Sequence, residues 1–561
     1  MNEGPTQQLR VERIQGSVYP GFNKDEQAFL WLRFPGPDSA RAWLKETVPD
    51  LTSAREVLAF RSLRRQREKG PHLADRGSAW VNVAFSKAGL DLLVASPPGT
   101  FPEPFEQGMA RRASLLGDTP ATWRFGGTLE TEAHALVILG ADTEGDLLRA
   151  LVVQRDRLAR HGGRDLFLEI LGQDCRGAKL PGDLRGHEHF GYRDGISEPR
   201  LDGSAGTGNF LLGYVDADGA ESRSGPGWTR DGSYLAFRRL RQDVAGFHRA
   251  LEALAQNVGL KNRDQLGAKV FGRWPSGAKV ADPIQATDPG TDSPREYGAE
   301  EFAADPEGVK VPRFAHVRKA HPRDVSFANG HRLLRRGIPY GPPLVTEPGG
   351  LPRDDGRDRG LLFLAYQVDL SEQFERVQRW MNDRNSPVAS TGQDPIGGQG
   401  EDPAQLTLRQ SNTLPSKLDI HHYVSMTGGG YFFMPSLSAV QYLADPTTSW
   451  EQQEATMGDL SQQQLGELIV NENPYGRMTD IDLTQVTKSG LGQDFNAHTR
   501  PYYEPVLKTD DARYWQGFFW TVGADGNKTE TIRVSKAMRI RYKIGNVDHW
   551  LVVGYEGAGG M

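Results

Sequence analysis

Two runs of strand-like and helix-like segments, set out in a similar order, constrain this 561-residue chain more than any single motif. In the first, "QAFLWLRF" (27–34) has the aromatic and apolar content of a buried strand. "DSARAWLKETV" (38–48) follows as a helix opened by the N-cap residue Asp38. "AWVNVAFS" (79–86) is strand-like again, and "AHALVILG" (133–140) passes through Asp142 and Thr143 into the long helix "EGDLLRALVVQRDRLARHG". "RDLFLEILG" (164–172) closes the set. In the second run, "SYLAFRRLRQD" (233–243) reads as a strand feeding a helix whose Val244, Phe247, Leu251, Leu254 and Val258 keep a three–four spacing. "RGLLFLAYQVD" (359–369) and "LSEQFERVQRWMND" (370–383) repeat that step. No repeat is visible residue by residue, but the order predicts an α+β fold built of two like halves, each a sheet with helices on it.

The halves are expected at residues 1–178 and 179–445, with a Pro-, Gly- and acid-rich surface loop inserted at 283–312 and a second loop at 385–405. From residue 446 the texture changes. A polar, Gln-rich segment (451–466) precedes the strand-like runs "YWQGFFWTVG" (514–523), "IRVSKAMRIRYKIG" (532–545) and "HWLVVGYEG" (549–557). Residues 446–561 are therefore expected to form a largely β extension whose role the residues do not reveal. The formal charge of −6 argues against nucleic acid as a partner. A single cysteine, Cys175, excludes an intrachain disulfide and any Cys-ligated zinc or iron–sulfur centre. No apolar run is long enough for a membrane span, and no basic segment followed by an apolar one opens the chain, so the expected location is the cytoplasm.

Four short stretches carry candidate chemistry. "FGYRDGISEPR" (190–200) places one carboxylate, Asp194, beside Gly195 and three residues after Gly191; Asp-Gly also marks an ordinary turn. "FAHVRKAHPRD" (314–324) puts Arg318 two residues after His316. In an extended segment the two would face the same way, an imidazole for a metal and a guanidinium for an anion, which is the combination a haem presents. A basic surface loop has the same composition. "HRLLRRGIPYG" (331–341) carries Arg335 into a Gly-Ile-Pro turn, again compatible with a solvated charged turn. "GHEH" (186–189) and the adjacent His421 and His422 lack the further ligands of a strong zinc signature and read as structural. No GxSxG, HExxH, Walker-type or CxxCH motif occurs.

Taken in order, "GYRDG" (191–195), "FAHVRKAHPRD", "LLRRGIPYG" (333–341) and "RGLLFLAYQ" (359–367) resemble the dye-decolourising peroxidases, whose G-x-x-D-G motif precedes a haem-ligating histidine and a distal arginine. "IQGSVYPGFNKDEQAFLWLRF" (14–34), "GRWPSGA" (272–278), "QFERVQRWMND" (373–383) and "TGGGYFFMPS" (427–436) extend the likeness over roughly residues 12–445. Length and insertions are similar to those of the larger bacterial members. The resemblance implies two ferredoxin-like units of antiparallel sheet and helix, binding one haem b per chain. It implies a peroxidase that uses hydrogen peroxide to oxidise dyes, phenolic and other aromatic donors in one-electron steps. His316 would be the proximal ligand of the haem iron, Asp194 the acid–base group, Arg335 the distal arginine and Arg318 a propionate partner. Gly191 and Gly195 would let the backbone lie against the porphyrin, and Leu361 and Phe363 would form its apolar wall. Asp394 in "DPIGG" would be the carboxylate behind the proximal imidazole. The acidic loop with Glu300, Glu301, Asp305 and Glu307 would offer oxygens to Mn(II). The rival readings are a haem-binding or haem-delivery protein without turnover and a non-haem metal or interaction protein using "GHEH". Neither the oligomeric state nor the physiological donor is legible.

Overall fold

The computed structural model describes residues 9–67, 79–94, 100–201, 206–222, 225–345, 350–387, 392–411, 413–447 and 450, and beyond these only the strands Val470–Glu472, Gly517–Val522, Lys528–Val534, Lys536–Ile544 and Val547–Tyr555. Two compact units emerge, and neither coincides with a continuous stretch of chain: residues 1–9, 23–40 and 83–435 in one, 10–22, 41–82 and 436–561 in the other.

The first unit is organised on a sheet of ten strands. They are β1 (Glu26–Arg33), β2 (Ala79–Phe85, whose end from residue 83 belongs here), β3 (Ala135–Ala141), β4 (Arg164–Asp165), β5 (Cys175–Ala178), β6 (Ser233–Gln242), β7 (Leu334–Arg335), β8 (Ile338–Tyr340), β9 (Gly360–Gln367) and β12 (Val424–Met434). Their order is β4-β1-β3-β2-β12-β6-β9-β7, with β5 paired to β1 and β8 to β9. Strands from both halves of the sequence thus share a single sheet. β10 (Ala404–Leu408) and β11 (Ser416–Ile420) form a separate antiparallel pair. Trp31 of β1 is buried and meets the rings of Phe125, Phe167 and Phe432, so strands far apart in sequence enclose one aromatic core.

The expected helices form where their signals stand. Thr143 accepts a hydrogen bond from the amide of Asp146 and starts Glu144–Arg160, which buries Leu147, Leu151 and Leu158. Asp243 caps Val244–Ala255 in the same way, and Val244, Phe247 and Leu251 face inward. "DSARAWLKETV" differs at its start: the helix begins at Pro37, which has no amide to satisfy, and Asp38 lies in the first turn. "RDLFLEILG" divides into the two-residue β4 and the helix Leu166–Leu171, capped by the Asp165 carboxylate.

The second unit contains the helix Leu437–Ala444, buried along its whole length and capped by Ser436 through the amide of Ala439. The amide of Leu437 donates to the Arg13 carbonyl (2.8 Å), and Asn82 ties the amide of Ser17 to the carbonyl of Thr52. Its C-terminal strands form an antiparallel three-stranded sheet, Val470–Glu472 with Lys536–Ile544 with Val547–Tyr555, and the pair Gly517–Val522 with Lys528–Val534. The Gln-rich segment 451–466 lies outside the described residues. No helix among the described residues is long and apolar enough to cross a membrane.

Candidate active site

His316 opens the short helix His316–Ala320, beside a cavity of the first unit. Its Nδ1 lies 2.7 Å from Oδ2 of Asp394, a carboxylate with no exposed surface. Asp394 is itself immobilised: Oδ1 accepts from the amides of Ile396 (2.8 Å) and Gly397 (3.1 Å), and its own amide donates to the Met381 carbonyl. A neutral imidazole donating from Nδ1 keeps the lone pair of Nε2 for a metal. Burial works against charging the ring, but the Asp394 carboxylate outweighs it and holds His316 above its ordinary value.

Asp194 stands in the loop after "GHEH". Gly191 and Gly195 take φ of +93° and +76°, the left-handed region that a side chain would strain, so the turn carrying Asp194 depends on both. The Asp194 amide donates to the Gly186 carbonyl, and Oδ1 accepts from the Gly195 amide (2.6 Å) and from Nη1 of Arg335 (2.9 Å). Oδ2 has no hydrogen-bond partner among the described residues. Burial would raise the Asp194 carboxyl, but the Arg335 guanidinium beside it prevails and holds it below the usual value.

Arg335 ends β7, where it pairs with Ala365 of β9. Glu198 grips it twice, accepting from Nη2 at 2.7 Å and from the backbone amide at 3.0 Å. The Glu198 charge is also the first reason that Arg335 holds its proton even more firmly than usual. A further carboxylate, Glu188, accepts from the amides of Phe190 and Tyr192 (both 2.9 Å) and from the Gln242 side chain (2.6 Å), cross-bracing the loop before Asp194. Burial pushes Glu188 up to about 7. Neither glutamate was among the expected site residues, although "DGISE" shows Glu198 four residues after Asp194.

One cavity is lined by Asp194, Gly195, His316, Arg335, Leu361 and Phe363, so six of the nine expected residues meet there. Gly191 shapes the loop, and Asp394 meets His316 without lining the cavity. Arg318 requires correction as a propionate partner. His316 and Arg318 lie on a helix, where residues two apart diverge, rather than on an extended segment. The Arg318 guanidinium is buried and donates to the carbonyls of Phe302, Asp305 and Val311 and to the Asp324 carboxylate (2.9 Å), which fastens the preceding loop. Arg323 and Arg332 line the cavity instead, and Arg332 has a buried Nη2 without a hydrogen-bond partner, 3.6 Å from Glu296. An imidazole whose Nε2 has no partner among the described residues, apolar walls and an under-used guanidinium fit a haem, which needs an axial nitrogen, contacts for its ring and cations for its carboxylates.

His189 Nε2 meets the Tyr340 carbonyl at 2.8 Å. The acidic loop lines a different cleft. There Glu301 is paired with Lys279, and Asp305 accepts from the amides of Val309, Lys310 and Val311. No group of three or more His, Cys, Asp or Glu suited to a metal occurs among the described residues.

Comparison with known proteins shows the family of the chain. Residues 13–154 match the family described as the DyP dimeric alpha+beta barrel domain, and residues 188–390 match Dyp-type peroxidase, C-terminal. Peroxidase 2 of Mycetinis scorodonius is 31% identical over 471 residues, which cover 77% of this chain and 87% of the relative. The multifunctional dye peroxidase DyP2 of an Amycolatopsis species is 28% identical, covering 77% of this chain and 96% of the relative. A solved structure of an ancestral D-type dye decolorizing peroxidase superposes with a TM-score of 0.66 at 29% identity, covering 78% of this chain and 99% of that one.

Proposed function

This chain belongs to the dye-decolourising peroxidase family, and from that premise we propose that Asp194 and Arg335 handle peroxide while His316 holds the haem. The protein is a haem-dependent peroxidase, with hydrogen peroxide as oxidant and dyes among its reductants. The observation that carries the assignment is a pairing: Asp194 with Arg335 and His316 with Asp394, both serving one cavity.

Haem bound there would supply an iron at which the O–O bond of peroxide is cleaved and from which donors are oxidised one electron at a time. His316 would ligate through Nε2, with Arg323 and Arg332 toward the propionates. Cleavage of peroxide also requires a proton to leave one oxygen and reach the other. Asp194 Oδ2, without a hydrogen-bond partner among the described residues, takes that proton and returns it to the departing oxygen. Arg335 places a fixed positive charge where negative charge develops, and Glu198 keeps it there. Leu361 and Phe363 exclude water from the exchange. Because Arg335 holds Asp194 below the usual carboxyl range, the base form persists in mildly acidic solution, and we expect oxidation of dyes and phenols to be fastest there.

Residues 1–178 and 179–445 are taken as the two halves of the catalytic body and 446–561 as an appendage to it. The lone cysteine, Cys175, free and buried, suits work in the reducing cytoplasm. Mn(II) oxidation at the acidic loop is not part of the proposal, because Glu301 and Asp305 are already committed. Purified protein should show a Soret band that responds to peroxide, and His316→Ala should lose the band. A band retained in His316→Ala would remove the ligand assignment.

A further inference from the structure

The helix Glu144–Arg160 is apolar on two sides. Leu147, Leu151 and Leu158 are buried against the first unit, as an amphipathic helix requires. On the outer side Leu148, Val152 and Val153 are 40%, 67% and 49% exposed. They are three of the ten large hydrophobic side chains that stand exposed among the described residues, and the others are divided among loops and shorter helices. Two adjacent valines do not favour a helix, because their branched β-carbons crowd the preceding turn. Neither the core nor the helix itself accounts for this outer stripe, and a covering surface would.

We propose that the stripe is a self-association surface, on which a second copy of the chain lays the same helix antiparallel. Gly145 and Ala159, both exposed, stand seven residues before and after Val152, so with Leu148 they continue its line along the helix. Small residues at the ends let two helices approach, and Leu148 and Val152 fill the middle. Charge selects the occupant and its direction. Arg149 and Asp156, with side chains 75% and 68% exposed, lie two turns apart on one edge of the stripe. Their midpoint falls between Val152 and Val153. A two-fold axis at that point brings Arg149 level with the partner's Asp156, and Asp156 level with the partner's Arg149.

The ion pairs within the chain extend this pattern rather than compete with it. Arg149 is paired with Asp146 on the preceding turn, and Asp156 with Arg160 (3.2 Å) on the following one. Each crossing therefore joins four charges of alternating sign: Asp146, Arg149, the partner's Asp156 and the partner's Arg160. Isolated surface pairs contribute little, but a network around an apolar seam fixes register and direction. In a parallel pair Arg149 would lie level with the partner's Arg149, and Asp156 with the partner's Asp156. One helix from each copy buries less than the ~1,200 Å² of a standard interface, so the dimer is expected to dissociate on dilution. It needs no haem and stands apart from the peroxidase reading.

Sedimentation velocity of the full haem-loaded chain over a dilution series tests the pairing. Wild type should pass from dimer to monomer as it is diluted. Val152→Glu, which points outward, should raise the dissociation constant about tenfold or more with the Soret band and Tm unchanged. Arg149→Glu and Asp156→Lys should each weaken the dimer, and the two together in one chain should restore it, because the crossing charges are then exchanged. A wild type that stays monomeric throughout overturns the inference. So does a dimer indifferent to Val152→Glu, or a charge-exchanged double variant no tighter than its single parents. A monomeric wild type whose Tm falls in Val152→Glu would instead assign the cover to residues of the same chain.

Discussion

Asp394 and Asp194 are both carboxylates with a nitrogen partner at one cavity, yet they are held under opposite constraints. Asp394 has no exposed surface, and both of its oxygens are engaged, one by two backbone amides and the other by His316. Asp194 has 41% of its side chain open to the cavity, one oxygen held and the other without a partner among the described residues. A carboxylate with both oxygens engaged and no exposed surface is held to orient its neighbour. One with a free oxygen beside a fixed cation can exchange a proton while the cation keeps it ionised at rest. The same functional group therefore becomes a strut in one place and a reagent in the other, and burial and hydrogen-bond count decide which.

The sharpest way to break that contrast is to neutralise the reagent. Asp194→Asn preserves shape and removes the proton acceptor, so peroxide reactivity should fall about 10²–10⁴-fold, the usual worth of a positioned acid–base group. Stopped-flow spectroscopy of the Soret band would measure it, with haem content unchanged. The wild-type rate should persist as the pH falls until it passes through the lowered Asp194 value, because the base is present above that value and absent below it. The variant should lack that acid limb. An undiminished rate in Asp194→Asn would move the acid–base role to another group.

Neutralising the strut should cost less. Asp394→Asn can still accept from one partner but no longer pairs with the imidazole as an anion, and roughly 10–100-fold in haem retention or activity is the expected loss for such a change behind a metal ligand. The Soret position and the rate of haem loss to a scavenger protein report it without reference to turnover. In the apoprotein the same pair should show in stability. His316 is raised, so its contribution is complete below the unfolded histidine value and disappears as pH rises through the folded one; Asp394→Asn should flatten that slope.

Glu198 belongs with the struts although it stands at the reagent's end. Glu198→Gln keeps an acceptor for Arg335 but removes the charge, and the peroxide step should slow about tenfold, equivalent to about 1.4 kcal/mol. The signature of positioning is restoration: Glu198→Asp should recover part of the rate, whereas for Arg335 not even lysine can offer one nitrogen to Asp194 and another to Glu198 from a single planar group.

Asp194, His316 and Arg335 could be named because four short stretches stand together in the family's order, although each stretch alone also reads as an ordinary turn or a basic loop. Asp394 could be named only through the family pattern, since the loop before it leaves its distance from His316 open; the fold closes that gap to 2.7 Å. Arg318 was misread for a local reason. Which way a residue faces depends on whether five residues coil or extend, and "HVRKA" is too short for a periodicity to decide. Glu188 and Glu198 were missed because a loop carboxylate gains its role from the amides and guanidinium it meets, and those partners come from other strands and turns. The alternation of strands and helices was legible, and from it two like halves were expected. That strands of both would join in a single ten-stranded sheet is a matter of edge pairing, which no residue in either half announces.

The smallest effect separates bracing from chemistry most finely. Glu188 lines the cavity on the same loop as Asp194, yet it is raised to about 7 where Asp194 is lowered. Burial is the first cause of the rise, and three accepted hydrogen bonds oppose it. Between the ordinary glutamate value of about 4.3 and the folded one, the native chain holds a proton that the unfolded chain has released. This contribution to stability is complete at the acid end and vanishes as the pH climbs past 7. Glu188→Gln removes the titration but gives the Phe190 and Tyr192 amides one acceptor in place of two, so the variant should be less stable throughout. Its deficit in Tm should narrow as the pH is raised from 5 to 8, followed by circular dichroism. A constant deficit would mean that Glu188 is ionised in the folded chain across that range and works as a strut alone.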